Sequence, residues 1–144
     1  IKMLVISDKK KRILFLSQPY CGSVHDYTIL KDEFPISEPL WFSENDVYVD
    51  LGFLGIEKDY ESDRIKIPIK RKSRKSKKDP KIPFTEEQKI FNKGVSSERI
   101  YVENAIGGMK RYWWLSNRLR CRDAEYYSMV AGIAAGLWNF QLND

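Results

Sequence analysis

The chain has 144 residues, of which 42% are hydrophobic and 31% are charged, and its formal net charge is +5. This length suits one compact domain, and the composition excludes a disordered chain of low hydrophobicity. The longest apolar run, residues 129–138, has ten residues, whereas a membrane span needs about 20. We therefore expect no membrane partner.

Cysteine and histidine are scarce, since the chain has two cysteines and one histidine, His25. Zinc sites built from these residues are nearly excluded, and so is Ser-His-Asp or Cys-His catalysis that does not use His25. No basic and apolar leader is visible, so nothing indicates secretion. Because the first residue is Ile1 and not Met, we expect a fragment trimmed upstream.

Positive charge is concentrated in one segment, because residues 64–81 contain ten basic side chains and a single Asp. Such a run is typical of a loop that binds a polyanion. An isolated charge run is more often a solvated insertion. The two interpretations are compatible, because a solvated basic loop still neutralises phosphates.

The first predicted elements are a β-hairpin and a helix. Apolar runs at residues 3–7 and 13–17 flank a polar turn at 8–12, which is typical of paired strands. Ser23 and Asp26 have the spacing of a capping box and predict that a helix begins there. Three residues are expected on its inward face: Ile29, Leu30 and Phe34.

Two more strands are predicted in the middle of the chain. Val47–Asp50 runs into a glycine-containing turn, and Ile65–Ile69 alternates between apolar and polar positions. Pro68 confines the second of these strands to an edge or a strand end. The basic loop then covers about residues 70–83.

The last third is predicted to be helical. Thr85 with Gln88 has capping-box spacing and opens a long helix, which Gly94 could divide, while Asp123 is expected to cap a final helix. The inward stripes are expected to be Val102, Ile106, Met109 and Trp113 on the long helix, and Tyr126, Val130, Ile133, Leu137 and Phe140 on the last. Strands followed by helices predict an α/β or α+β layer fold with one domain over residues 1–144.

Two pairs of glycines stand inside these helices. Gly107 and Gly108 each cost roughly 1 kcal/mol relative to Ala in a helix interior. We therefore expect a strand or a DNA backbone to pass closely there. Gly132 and Gly136 likewise predict close approach by a neighbour.

Four residues are candidates for chemistry. Asp50 lies at the carboxyl end of a predicted strand, where open α/β sheets bind ligands, but an Asp before Leu-Gly also caps turns, and both interpretations stay open. For Glu103 the residues alone favour an exposed side chain paired with Arg99. For His25 and Asp26 they favour helix capping with a packed histidine.

Five short motifs in a fixed order carry the strongest functional signal. They are Gly22-Ser-Val-His-Asp26, Val49-Asp-Leu-Gly-Phe-Leu-Gly55, Ile67-Pro-Ile-Lys70, Thr85-Glu-Glu-Gln88 with Phe91-Asn92, and Arg99-Ile-Tyr-Val-Glu-Asn-Ala-Ile-Gly107 with Lys110-Arg111. The ordered set resembles the catalytic domain of DDE transposases of the Harbinger type and their bacterial insertion-sequence relatives. The likeness extends from the first hairpin to Asn139.

The resemblance implies a ribonuclease-H-like mixed sheet with flanking helices. It also implies that two aspartates and a glutamate hold Mg²⁺ or Mn²⁺ for DNA strand cleavage and transfer. Asp50 matches the second aspartate and Glu103 the glutamate, while the first aspartate and its strand are expected upstream of Ile1. With one carboxylate missing, we expect no detectable strand cleavage by these residues alone.

The implied partner is DNA, both transposon ends and target, and self-association is also compatible with the resemblance. The expected location is the cytoplasm for a bacterial protein and the nucleus for a eukaryotic one. His25 and Asp26 would be accessory residues of the site. The residues expected to bind DNA are Lys70, Arg71, Lys72, Arg74, Lys75, Lys110 and Arg111.

Two alternatives to a catalytic transposase domain remain. One is a non-catalytic DNA-binding or interaction protein derived from a transposase. The other is an unrelated metal-dependent phosphoesterase that uses Asp26, Asp50 and Glu103.

Overall fold

The computed structural model describes residues 1–38, 40–72, 82–116 and 123–142. The chain divides into two compact units, one formed by Ile1–Pro35 with Ile100–Asp144 and the other by Ile36–Arg99. Each unit contains short strands and helices. The predicted α/β class is therefore confirmed, and the single domain stays a prediction.

The described strands form two separate two-stranded sheets. None of the helices in the described ranges is long and apolar enough to cross a membrane. The elements in chain order are β1 Val5–Ser7, β2 Ile13–Leu16, α1 Asp26–Glu33, α2 Leu40–Glu44, β3 Val47–Tyr48, a 3₁₀ turn Leu51–Phe53, α3 Ile56–Asp59, β4 Ile65–Lys66, α4 Glu86–Met109, α5 Trp113–Ser116 and α6 Ala124–Gln141.

The predicted hairpin is present, with β1 and β2 antiparallel. Asp8 closes its turn, because the backbone N–H of Arg12 donates to Oδ1 at 2.9 Å and Nε of Arg12 donates to Oδ2 at 3.1 Å. Partial burial by itself raises the pKa of Asp8, but the bonds from Arg12 outweigh it and hold the pKa below its ordinary value of 3.8. This carboxylate therefore stabilises the turn above pH 3.8, and the contribution is lost as the pH falls through the lowered pKa.

The first unit is held together by α6 against the hairpin. The backbone N–H of Ile13 donates to Asn139 Oδ1 at 2.8 Å, and Asn139 Nδ2 donates to the Ile13 carbonyl at 2.9 Å. The buried indole of Trp138 donates from Nε1 to the Lys11 carbonyl at 2.8 Å. The buried cluster around these contacts comprises Ile13, Ala105, Met109, Ala131, Ala134, Ala135 and Trp138.

The inward stripe predicted for α6 is wrong for three of its five residues, while Tyr126 and Val130 are half-buried. Ile133, Leu137 and Phe140 are 56%, 45% and 67% exposed, while the buried face consists of three alanines and the indole. Gly132 and Gly136 have no heavy atom within 4 Å of an added Cβ, so neither serves a close approach among the described residues. The helix is apolar on two sides, and hydrogen bonds to the hairpin decide which side faces inward.

The start of α1 also differs from the prediction. Its N-cap is His25, whose Nδ1 accepts from the backbone N–H of Tyr27 at 3.3 Å, and not Ser23. The imidazole is exposed, so the expected packed histidine is wrong. The predicted inward residues Ile29 and Leu30 are buried.

The capping box of α4 is confirmed. The backbone N–H of Gln88 donates to Thr85 Oγ1 at 3.3 Å, and that of Thr85 donates to Gln88 Oε1 at 3.1 Å. The helix runs without the predicted division, and its last part belongs to the first unit. Of its predicted stripe, Met109 is buried and Val102 and Ile106 are half-buried.

In the second unit β3 and β4 pair in parallel. The extended segment after β4 is held by α4, because the N–H of Ile69 donates to Asn92 Oδ1 at 2.7 Å and Asn92 Nδ2 donates to the Ile69 carbonyl at 3.2 Å. The rings of Phe42 and Tyr60 lie 4.4 Å apart between centroids. The buried apolar residues of this unit are Phe42, Ile56, Tyr60, Ile65, Ile67 and Val95.

The two adjacent glycines of α4 have different surroundings. A Cβ added at Gly108 would overlap the benzene ring of the Trp138 indole, whereas one added at Gly107 would meet nothing within 4 Å. The close neighbour at Gly108 is therefore an aromatic side chain of α6 and not a strand or DNA. Gly107 has no such neighbour in the described part of the chain.

This difference gives a matched pair of variants. We expect Gly108→Ala to lower the free energy of unfolding by about 1–3 kcal/mol, because the indole must move. Gly107→Ala should instead raise it by up to about 1 kcal/mol through helix propensity. Urea unfolding of both variants is the measurement, and equal effects of the two would show that the indole does not pack on Gly108.

Candidate metal and DNA site

Asp50 lies at the carboxyl edge of a parallel strand pair. Because β3 and β4 are parallel, their carboxyl ends share one edge, and Asp50 follows β3 by two residues. The backbone N–H of Leu51 donates to Asp50 Oδ1 at 2.6 Å, which caps the 3₁₀ turn. Gly55, with φ of 103°, then lets the chain enter α3. Asp50 therefore both caps a turn and occupies an edge where ligands bind in α/β sheets.

Arg99 is the charged partner of Asp50. It reaches the carboxylate from α4, with Nη1 3.3 Å from Oδ1. The side chain of Arg99 is 23% exposed and that of Asp50 is 57% exposed. Both described contacts of Asp50 use Oδ1, and more than half of the side chain surface is exposed.

Glu103 is exposed and lies on α4 one helical turn after Arg99, in the part of the helix that belongs to the first unit. The structure brings Asp50 to Arg99 in the second unit. Among the described residues, no three carboxylate, histidine or cysteine side chains form a cluster that could hold a metal ion. The exposed carboxylates of Asp50 and Glu103 nevertheless offer the oxygen ligands that Mg²⁺ and Mn²⁺ prefer.

The predicted basic loop begins directly after a backbone position that is held by hydrogen bonds in the second unit. Lys70, Arg71 and Lys72 are exposed and directly follow Ile69, which Asn92 of α4 holds. The guanidinium carbon of Arg71 lies 5.0 Å from the centre of the Phe84 ring. The predicted DNA-binding residues Arg74 and Lys75 lie outside the described residues.

The other predicted site residues belong to the first unit. Lys110 and Arg111 are exposed after α4, and the Arg111 guanidinium carbon lies 5.7 Å from the centre of the Trp138 ring. Asp26 accepts from Lys2 Nζ at 3.0 Å, and His25 caps α1. An accessory role of these last two residues stays a prediction.

The sequence alone missed two kinds of contact in this region. The ion pair between Arg99 and Asp50 joins residues that are far apart in the sequence, so no local pattern predicts it. The helical spacing predicted only that Arg99 lies one turn from Glu103. The hold of Asn92 on Ile69 was also missed. One signal could have indicated this contact. A helical Asn beside apolar residues that are buried is itself partly buried and needs a hydrogen-bond partner.

Comparison with known proteins identifies the family. A family model described as a DDE superfamily endonuclease matches residues 1–139. Over 140 residues the chain is 31% identical to a probable transposase for insertion sequence element IS702 from Microchaete diplosiphon, an alignment that covers 96% of this chain and 45% of that protein. No solved structure matches the chain.

The chain belongs to the DDE superfamily endonucleases, as the ordered motifs predicted. It spans less than half the length of the IS702 relative.

Proposed function

We propose that this chain is one part of the catalytic domain of a transposase that cuts and joins DNA, and that it is not active by itself. The observation that carries the proposal is the family match over residues 1–139. The relative's name as a probable transposase supports the same activity. We further propose that the two strand pairs belong to a ribonuclease-H-like arrangement, in which a parallel pair such as β3 and β4 presents its carboxyl edge to the substrate.

Asp50 and Glu103 are proposed as ligands of a divalent cation, Mg²⁺ or Mn²⁺. A cation held there would supply Lewis-acid activation of a water or 3′-hydroxyl oxygen at a DNA phosphate. The Leu51 N–H orients the Asp50 carboxylate, and the exposure of more than half of the side chain supports the assignment. Glu103 is supported by its exposure on α4.

DNA is the proposed partner of the exposed basic residues. Lys70, Arg71 and Lys72 directly follow Ile69, whose backbone α4 holds through Asn92. The position of the first of these basic residues in the second unit is therefore defined. Lys110 and Arg111 supply a second exposed basic pair. Lysine and arginine side chains in such positions neutralise phosphates without reading the base sequence.

The cation assignment is tested by Mn²⁺ titration followed by electron paramagnetic resonance. We expect Asp50→Asn and Glu103→Gln each to weaken Mn²⁺ binding by at least about fivefold, because each removes an anionic ligand. An amide at position 50 can still accept the Leu51 N–H, so the turn should persist.

The controls are Asp46→Asn and Glu87→Gln, which make the same two chemical changes at exposed carboxylates of the second unit. These controls should bind Mn²⁺ as the unchanged chain does. Equal binding by all four variants and the unchanged chain would refute the cation site. If DNA binding then persisted, a non-catalytic DNA-binding protein derived from a transposase would be the better account.

The DNA assignment is tested by the salt dependence of binding to a random duplex. Replacing Lys70, Arg71 and Lys72 with Ser should weaken binding for all sequences. It should also flatten the slope of log K against log salt by up to about 2.7, since each phosphate contact contributes about 0.9. The control replaces three exposed lysines elsewhere, Lys9, Lys10 and Lys58, and removes the same charge. Identical slopes for the two triple variants would show that the basic segment does not contact DNA.

A further inference from the structure

The Asp50–Arg99 pair places a guanidinium where the proposed cation must bind. We propose that Arg99 is a positioning residue that pairs with Asp50, competes with the divalent cation for this carboxylate and thereby lowers the affinity of the site for the cation. The proposal rests on the proposed function, because it requires Asp50 to be a cation ligand. It concerns Arg99, which the ligand assignment itself does not include.

Geometry and charge carry the inference. Nη1 of Arg99 lies 3.3 Å from the same Oδ1 that the Leu51 N–H contacts. A cation with two positive charges close to Asp50 would therefore face a guanidinium at short range. At such distances like charges repel appreciably even at a partly exposed site, so either the cation binds more weakly or the guanidinium must leave.

Burial distinguishes this pair from an ordinary surface pair of the same unit. The side chain of Arg99 is 23% exposed. By contrast, Arg64 is 53% exposed and its Nη1 lies 3.5 Å from Oδ1 of Asp46, which is 60% exposed. Exposed pairs of the second kind contribute little and are easily solvated. Arg99 is held more firmly beside its carboxylate, so its charge is harder to move away from the cation.

The pair also explains how Asp50 is kept oriented without metal. The Leu51 N–H and the Arg99 guanidinium both contact Oδ1, while the Asp50 side chain as a whole is 57% exposed. A cation approaching this carboxylate would find it already aligned. Arg99 therefore has two opposing effects, since it orients the ligand and reduces its negative charge.

The test is a Mn²⁺ titration of the isotopically labelled chain by nuclear magnetic resonance. The readout is paramagnetic broadening of the Leu51 backbone amide, which lies beside Asp50. In Arg99→Gln the Mn²⁺ concentration that half-broadens this signal should fall about 3- to 10-fold, because the competing charge is gone. Arg99→Met, which keeps an apolar stem without charge, should behave in the same way and serves if the Gln variant does not fold.

The matched control is Arg64→Gln, which removes the same charge from the other Arg–Asp pair of this unit. Its half-broadening concentration should equal that of the unchanged chain. Arg99→Lys, which keeps the charge, should also stay close to the unchanged chain. Asp50→Asn should abolish the broadening of the Leu51 signal.

The outcomes separate the two proposals. Broadening that depends on Asp50 but is unchanged in Arg99→Gln and Arg99→Met would overturn the competition while leaving the cation site in place. An equal gain in Arg64→Gln would also overturn it, since net charge alone would then explain the effect. Leu51 broadening that is absent, or that persists in Asp50→Asn, would contradict the cation site itself and with it the competition.

Discussion

Side-chain amides on the long helices hold the extended segments of both units, and the rest of the structure depends on these hydrogen bonds. Strands of two to four residues leave many backbone groups without sheet partners, and isolated two-stranded sheets are marginally stable. Asn139 satisfies both backbone groups of Ile13, and Asn92 does the same for Ile69. Each asparagine side chain thus makes the two backbone hydrogen bonds that an adjacent strand would otherwise make. It also attaches one helix to one extended segment.

In the second unit this arrangement has a functional consequence. The helix that fixes Ile69 through Asn92 also carries Arg99, which reaches Asp50 at the carboxyl edge of the parallel strands. One helix therefore sets the start of the basic segment and supplies the partner of the candidate cation ligand. The proposed function requires positive charge for DNA and negative charge for the cation, and α4 contacts residues proposed for each role.

How much of this could be predicted depends on the range of the interaction. Local signals placed two of the three predicted helix starts, because the capping box of Thr85 and Gln88 and the cap at Asp123 involve groups within three residues of each other. The third, Ser23 with Asp26, was displaced by His25, which caps α1 instead. The inward face of α6 could not be chosen from periodicity, since large apolar residues line one side while a hydrogen-bonding indole and three alanines line the other. The Arg99 contact with Asp50 joins distant positions and leaves no repeating pattern in the sequence.

The family was recognisable although single residues of the site were ambiguous. Asp50 as a turn cap and Asp50 as a ligand were equally compatible with its neighbours, and in the structure Asp50 caps the turn while more than half of its side chain stays exposed. No single motif is specific to the family. The five motifs in their fixed order are specific together, and this order identified the family. The motifs thus identify the family, whereas the role of a single residue such as Asp50 depends on its contacts in the folded chain.

The most direct measurement is anomalous X-ray diffraction from crystals of the chain bound to duplex DNA and Mn²⁺. The account predicts a Mn²⁺ peak in coordination contact with carboxylate oxygens of both Asp50 and Glu103, at roughly 2.0–2.4 Å. Carboxylates of Asp50 and Glu103 on opposite faces, or a Mn²⁺ peak that contacts neither residue, would contradict it.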